Sequence, residues 1–212
     1  MFYIGTGFTY DKNGIQDCTN KYFEALCSND IKEAKEQVTG QALWSLDNIS
    51  ELPKATIEKS EISIRAGNNK WAKVNTLIEI RLNDETIDVG WYDIDLINTE
   101  QGWKIFNLRN QVPEAKHSLI TNSDIEEPKK VFEEYLTTTS IEYLAGAARI
   151  AQEQNQVKLV PIEYKDLEMA PLGGNKEYKV LKASYFTDRA VNLCVTFYKS
   201  IDGWKIVNIQ QI

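Results

Sequence analysis

Gly102-Trp103-Lys104-Ile105-Phe106-Asn107-Leu108 and Gly203-Trp204-Lys205-Ile206-Val207-Asn208-Ile209 agree at five of seven positions, and the other two exchange one apolar residue for another. Chance rarely produces such a match in a chain of 212 residues. Trp103 and Trp204 stand 101 residues apart, too long for a solenoid unit and about right for a complete small domain. A second echo lies upstream. Tyr22-Phe23-Glu24-Ala25-Leu26 pairs with Val131-Phe132-Glu133-Glu134-Tyr135-Leu136, each an aromatic helical segment near the start of its half. Phe23 precedes Trp103 by 80 residues and Phe132 precedes Trp204 by 72, so the second copy is the shorter. The chain therefore reads as two tandem domains, 1–115 and 116–212. The joint falls within Gln111 to Glu127, where Pro113, His117, Asn122, Ser123 and Asp124 break the apolar pattern and Pro128 suits the first turn of a helix.

Working outward from the repeat, the first half opens with Ile15, Cys18, Tyr22, Phe23, Leu26 and Cys27 at three- and four-residue spacing, an amphipathic helix closed near Ser28-Asn29-Asp30. A short second helix runs through Ile31, Ala34 and Val38 to Thr39-Gly40, and Ala42, Leu43 and Leu46 add one or two turns around Trp44. After Pro53 the period becomes two. Ala72, Val74, Thr76, Ile78, Ile80 and Leu82 predict a half-buried strand, followed by strands over Thr86–Ile97 and Trp103–Arg109. The second half predicts one helix with Val131, Phe132, Tyr135 and Leu136 and another with Ile141, Leu144, Ala145 and Ala148. Strands follow over about Val157–Met169, Tyr178–Phe186, Ala190–Tyr198 and Trp204–Ile212, turning at Gly173-Gly174-Asn175, Thr187-Asp188 and Asp202-Gly203. Helices first and antiparallel strands afterwards is the order of an α+β domain. Phe2, Ile4, Phe8 and Tyr10 alternate with smaller residues and suit an added N-terminal strand or an arm.

Composition excludes several classes. With 24 basic against 31 acidic side chains the net charge is −7, and the basic residues do not cluster as nucleic-acid binding requires. Charge divides unevenly, with 12 basic and 18 acidic side chains in 1–115 but 12 and 13 in 116–212. An electrostatically selective face would belong to the first half. Cys18, Cys27 and Cys194 form no CxxC pair and sit near no histidine, which argues against structural zinc and a disulfide framework. No 18-residue apolar run is present to span a membrane. No basic segment leads into a long apolar core, so no intact signal peptide is visible, and Met1 fits either a native cytoplasmic start or a start that replaces a removed anchor or signal.

The aromatic opening helix Tyr22-Phe23-Glu24-Ala25-Leu26 with Asn29-Asp30 and Ala34 after it, and strands that close on Gly102-Trp103 and Gly203-Trp204, resemble the nuclear transport factor 2-like superfamily. The resemblance covers nearly all of both halves. It implies a cystatin-like cone in which a strongly curved sheet wraps around helices. Tandem copies of this kind are similar to those in conjugative-transfer channel proteins and lipoproteins of Gram-positive bacteria, which work outside the cytoplasm. The fold itself hosts isomerases, hydratases and purely binding members and so implies no activity.

Enzymes of that superfamily place an Asp or His base with acidic donors inside the cone. The single histidine, His117, falls in the linker and is read as a solvated residue. The weak candidates are Asp93 and Asp95, on one strand face with Trp91, helped by Tyr92 or Tyr22. Turned into an apolar cavity they would serve as general acid or base; turned outward they form a solvated stripe. Ile87, Val89 and Trp91 have odd parity whereas Ile94 and Leu96 have even parity, so a bulge near Tyr92 is expected to turn Asp93 and Asp95 to solvent. Trp103 and Trp204, repeated at one place, read as packing residues.

These features predict a non-enzymatic interaction or assembly module outside the cytoplasm, membrane-anchored in its native form, with a conjugation or secretion apparatus as one setting and a surface lipoprotein as another. Its partner would be another protein or a second copy, with no catalytic residue, cofactor, metal or nucleic acid. The alternatives are a binder of a small apolar ligand, a lyase or isomerase at the acidic strand, and a cytoplasmic location.

Overall fold

Residues 11–47, 49–112, 122–154 and 161–212 are described by the computed structural model. The segments expected to hold the N-terminal strand or arm, His117 and the 115/116 joint lie outside them. Among the described residues two compact units form, one within Met1–Glu85 and Gly90–Gln111, the other within Thr86–Val89 and Val112–Ile212.

In the first unit Asp11 caps α1 (Lys12–Cys27) by accepting from the Gly14 N–H at 2.9 Å. The helix buries Ile15, Cys18, Thr19, Tyr22, Phe23 and Ala25. Thr19 is fully buried because its hydroxyl donates back to the Ile15 carbonyl at 2.9 Å. Asn29, at φ 61°, breaks the helix, and Asp30 caps α2 (Ile31–Glu36) through the Glu33 N–H. After α3 (Gly40–Asp47) come β1 (Ala55–Gly67), β2 (Trp71–Leu82), β3 (Ile87–Thr99) and β4 (Gly102–Gln111), one sheet in the order β1-β2-β3-β4. Ala72, Val74, Ile78, Ile94, Leu96, Trp103 and Ile105 close this face of the sheet over the buried stripe of α1.

The second unit repeats the plan. A 3-10 turn (Asn122–Ile125) leads into α4 (Glu126–Thr138), which ends at Thr139 with φ 53°. The helix predicted across Ile141–Ala148 is instead a 3-10 turn (Ile141–Tyr143) and α5 (Gly146–Gln154). Leu144 and Ala145 are drawn straight between them, because the Ala145 N–H donates to the Ile206 carbonyl at 2.9 Å. Strands β5 (Lys165–Gly174), β6 (Tyr178–Phe186), β7 (Ala190–Ser200) and β8 (Gly203–Gln211) form a second sheet in the order β5-β6-β7-β8. Strand β5 begins later than predicted and runs through Pro171 to Gly174, with Leu172 bulged out of the pairing. Phe132 holds the centre of this core, 6.4 Å from the Tyr185 ring and edge-on to Phe197 at 6.5 Å. The α+β expectation of helices followed by an antiparallel sheet, twice over, is the observed fold; each sheet has four strands, the first of them including β1, which the sequence did not predict.

The first five positions of the repeated heptad each have a mechanical role. Gly102 and Gly203 take φ of 95° and 113° in open space, so backbone conformation rather than crowding calls for glycine. Their carbonyls accept from the Thr99 and Ser200 hydroxyls, both at 2.8 Å. Trp103 and Trp204 are 5% and 8% exposed. Lys104 Nζ donates to the Glu36 carbonyl, and Lys205 Nζ to that of Glu142 at 2.7 Å. Ile105 and Ile206 form parallel bridges with Val38 and Leu144. Phe106 and Val207 are the extra residues of two bulges, since Asp95↔Asn107 is followed by Leu96↔Ile105 and Thr196↔Asn208 by Phe197↔Ile206. A bulge increases local twist and bends the strand, which is how a short sheet wraps a helix.

The outer strands carry bulges too. Glu58 and Arg65 are unpaired on β1, and β5 slips between Lys165 and Glu168 and again at Leu172. Bulged edges are poor templates for strand addition.

Candidate functional site

Alternation along β3 puts Asp93 and Asp95 on the sheet face opposite Tyr92, Ile94 and Leu96, of which Ile94 and Leu96 are in the core. The expected bulge at Tyr92 is not in the β3–β4 pairing, which runs unbroken from Trp91↔Gln111 to Asp95↔Asn107 before the shift at Phe106. Ile87 and Val89, in the stretch that belongs to the second compact unit, are buried on the odd face, whereas beyond Gly90 the buried apolar residues are Ile94 and Leu96 on the helix-facing side.

Cross-strand neighbours fasten both carboxylates. Asp93 accepts from Asn75 Nδ2 through one oxygen and from Gln111 Nε2 through the other. Asp95 Oδ2 accepts from Asn107 Nδ2 and Arg109 Nη2, each at 3.3 Å, and Lys73 Nζ stands 4.0 Å from Oδ1. A cleft of about 170 Å³ lies among Arg65, Lys73, Asn75, Asp93, Asp95 and Arg109. General acid–base work at this pair was expected to need an apolar cavity around it; amide and cationic side chains surround it instead. Paired across β2, β3 and β4, these side chains form a polar lattice of the kind that stabilises a sheet face.

The phenols lie on the other side. Tyr92 packs against the core with its ring 5.2 Å from Phe23, and Tyr22 meets Phe23 edge-on at 5.1 Å. Burial, with Tyr92 nearby, pushes the Tyr22 hydroxyl up to about 12. Burial also pushes the Cys18 thiol up to about 11, and its Sγ contacts the Gln37 carbonyl at 3.6 Å. A thiol so held is a packing residue rather than a nucleophile. All three cysteines are free. Among the described residues no His, Cys, Asp and Glu group could hold a metal ion, and no helix is long and apolar enough to cross a membrane.

The two tryptophans of the repeat pack alike and bond differently. Trp204 Nε1 donates to Glu127 Oε2 at 2.9 Å, with Lys179 Nζ and Lys199 Nζ 5.5 and 5.7 Å from its ring. Trp103 Nε1 is buried with no hydrogen-bond partner among the described residues.

The feature that sequence reasoning missed is a surface. Trp44 on α3 is 72% exposed, and Phe106, bulged from β4, is 44% exposed with its ring against Gly40. Residues 40 and 44 are one helical turn apart on one face, and helical side chains lean toward the N-terminus, so Trp44 inclines toward Phe106. The only signal for it was an exchange inside the repeated heptad, Phe106 against Val207, which reads as conservative until the bulge turns that position outward.

No protein-family model and no curated protein matches the chain. Among solved structures, one described as an "Ntf2 like protein involved in plasmid conjugation" is similar over 92% of this chain and 94% of its own, at 7% identity and a TM-score of 0.35. The fold of this chain stands on its own element order, bridges and bulges.

Proposed function

We propose that this chain is a non-enzymatic interaction or assembly module built of two nuclear transport factor 2-like domains. The observation that carries the reading is the fastening of Asp93 and Asp95 to amide and cationic neighbours on the sheet face away from Tyr22 and Tyr92. A base and a donor set on opposite faces of one sheet cannot converge on a substrate atom. The exposed Trp44 and Phe106 supply instead the kind of aromatic surface that protein interfaces bury. The domain joint at 115/116 rests on the sequence repeat and the break in the apolar pattern between Gln111 and Glu127, and an extracytoplasmic, membrane-anchored setting and a place in a conjugation or secretion apparatus rest on the sequence resemblance. Cross-linking in the source cell, followed by mass identification, tests the reading. A stoichiometric protein complex is the expected result. A solitary chain that co-purifies with a metabolite would overturn it and favour the ligand-binding alternative.

A further inference from the structure

The internal repeat is a built-in control on which surface charges the fold requires. Gly40 and Gly146 hold one place in the two units: each follows the parallel bridge to the repeated isoleucine by two residues, begins a helix, and has φ of 56°. The strands correspond as closely. β1 passes from Ile64↔Val74 to Ala66↔Lys73 and leaves Arg65 unpaired, while β5 passes from Pro171↔Leu181 to Gly173↔Val180 and leaves Leu172 unpaired. Arg65 thus matches Leu172, and Lys73 matches Val180. The steps before the two inner bulges, Asp95↔Asn107 and Thr196↔Asn208, match Asp95 to Thr196, Asp93 to Cys194 and Arg109 to Gln210. Every one of these positions is charged in the first unit and uncharged in the second. Both sheets pair and bulge alike, so the fold asks for the bulge and not for the charge.

The five charged side chains meet at the cleft of about 170 Å³ beside Asp93 and Asp95. Its carboxylates are already engaged, Asp93 by Asn75 and Gln111 through its two oxygens and Asp95 by Asn107 and Arg109. Its cations have capacity left. Arg65, aimed by the bulge, is exposed and makes no hydrogen bond or ion pair among the described residues. Arg109 gives Asp95 only Nη2, and Lys73 Nζ stands 4.0 Å from Asp95 Oδ1 with its side chain 62% exposed. Three cations against two carboxylates leave a surplus of one positive charge, in a half that holds 12 basic and 18 acidic side chains. That surplus fixes the charge of an occupant. A single carboxylate neutralises it and matches a guanidinium fork, whereas a phosphate dianion would exceed it beside Asp93 and Asp95. The volume fixes the size, because pockets for whole small ligands run to about 300–1,000 Å³. This cleft takes the end of a side chain.

We propose that the cleft docks a glutamate or aspartate side chain of a partner protein, clasped by Arg65 with Arg109 and Lys73 beside it. The inference rests on the assembly reading above and gives its partner a chemistry, an acidic segment.

Nuclear magnetic resonance titration of the full chain tests it, read at the arginine Nε–H signals and the backbone amides of β1 and β2. Three probes are compared at constant ionic strength: a blocked Ala-Glu-Ala peptide, its Ala-Gln-Ala twin, and inorganic phosphate. The expected result is saturable shifts at Arg65, Lys73 and Arg109 with the glutamate peptide and none with the twin. Arg65→Leu copies the bulge of the second unit, so the strand keeps its form, and it weakens binding roughly fivefold. Arg109→Gln makes the matching exchange on β4 as a second variant, and unchanged shifts elsewhere in the spectrum confirm that each folds. No saturable shift, an equal response to the glutamine twin, a stronger response to phosphate, or unchanged affinity in Arg65→Leu overturns the proposal. A chain that ignores the glutamate peptide and still forms a stoichiometric protein complex in the cell leaves the assembly reading standing and sinks only this one.

Discussion

Trp103→Phe and Trp204→Phe are the same substitution at the same place in two copies of one fold, and they are expected to differ by about 2 kcal/mol. Either change removes a ring from a nearly closed core site, with a lost-volume cost of roughly 1–2 kcal/mol. At Trp204 it also removes the donor to Glu127, 2.9 Å away, and weakens the contact with Lys179 and Lys199. Because the Glu127 side chain is 73% exposed, that bond is worth no more than about 1 kcal/mol. At Trp103 the indole N–H is buried with no partner among the described residues, and deleting an unsatisfied donor returns about 1–3 kcal/mol. The sums are near zero for Trp103→Phe and about 1–3 kcal/mol for Trp204→Phe. Native-state hydrogen exchange reads each unit separately, at the Ile105 amide bonded to the Gln37 carbonyl and at the Ala145 amide bonded to that of Ile206. Trp103→Phe should leave Ile105 protection nearly unchanged, while Trp204→Phe lowers Ala145 protection roughly thirtyfold. Equal losses, or a larger one in the first unit, would refute the reasoning.

Gly40→Ala and Gly146→Ala both force alanine into the left-handed region, at about 1–2 kcal/mol each, but a Cβ on Gly146 also meets the Val89 carbonyl oxygen at 2.7 Å whereas on Gly40 it meets the movable Phe106 ring. Urea unfolding should therefore show Gly146→Ala as the more destabilising, and the reverse order would contradict the repeat alignment. Cys18 and Tyr22 are neutral in the fold up to about pH 11 and 12 but ionise near 9 and 10 when unfolded. Because the unfolded state then releases protons that the folded state keeps, stability is full below pH 9 and declines from there to about pH 12. Thermal midpoints recorded against pH should show that decline, with the segment between 9 and 11 flattened in Cys18→Ala; an unchanged profile in the variant would remove Cys18 as a cause. Asp93→Asn turns an acceptor of two amide donors into a partial donor and should lower stability by about 1 kcal/mol in urea; a negligible change would mean that the lattice across β2, β3 and β4 does not hold the sheet.

The repeat was legible because every residue of Gly-Trp-Lys-Ile answers a backbone or packing requirement that both units share. Parity likewise placed Asp93 and Asp95 on one face. Strand β1 escaped because the bulge at Glu58 puts Ile57 out of phase with Ile62 and Ile64, so no single period of two spans the segment. Strand β5 was misplaced for a related reason, its proline and paired glycines reading as a turn while in fact they continue the strand around a bulge at Leu172. The fastening of Asp93 and Asp95 depended on register, and register depends on a bulge at Phe106 that no local pattern announces. The Trp44–Phe106 surface was hidden for the same reason: a residue's face cannot be counted across an unseen bulge.

The central claim is that this chain acts through surfaces rather than through chemistry inside a cone. A photo-cross-linking amino acid at position 44, activated in the source cell, tests it most directly. The account predicts covalent adducts to protein. No protein adduct at position 44, together with a small molecule carried by the purified chain, would contradict it.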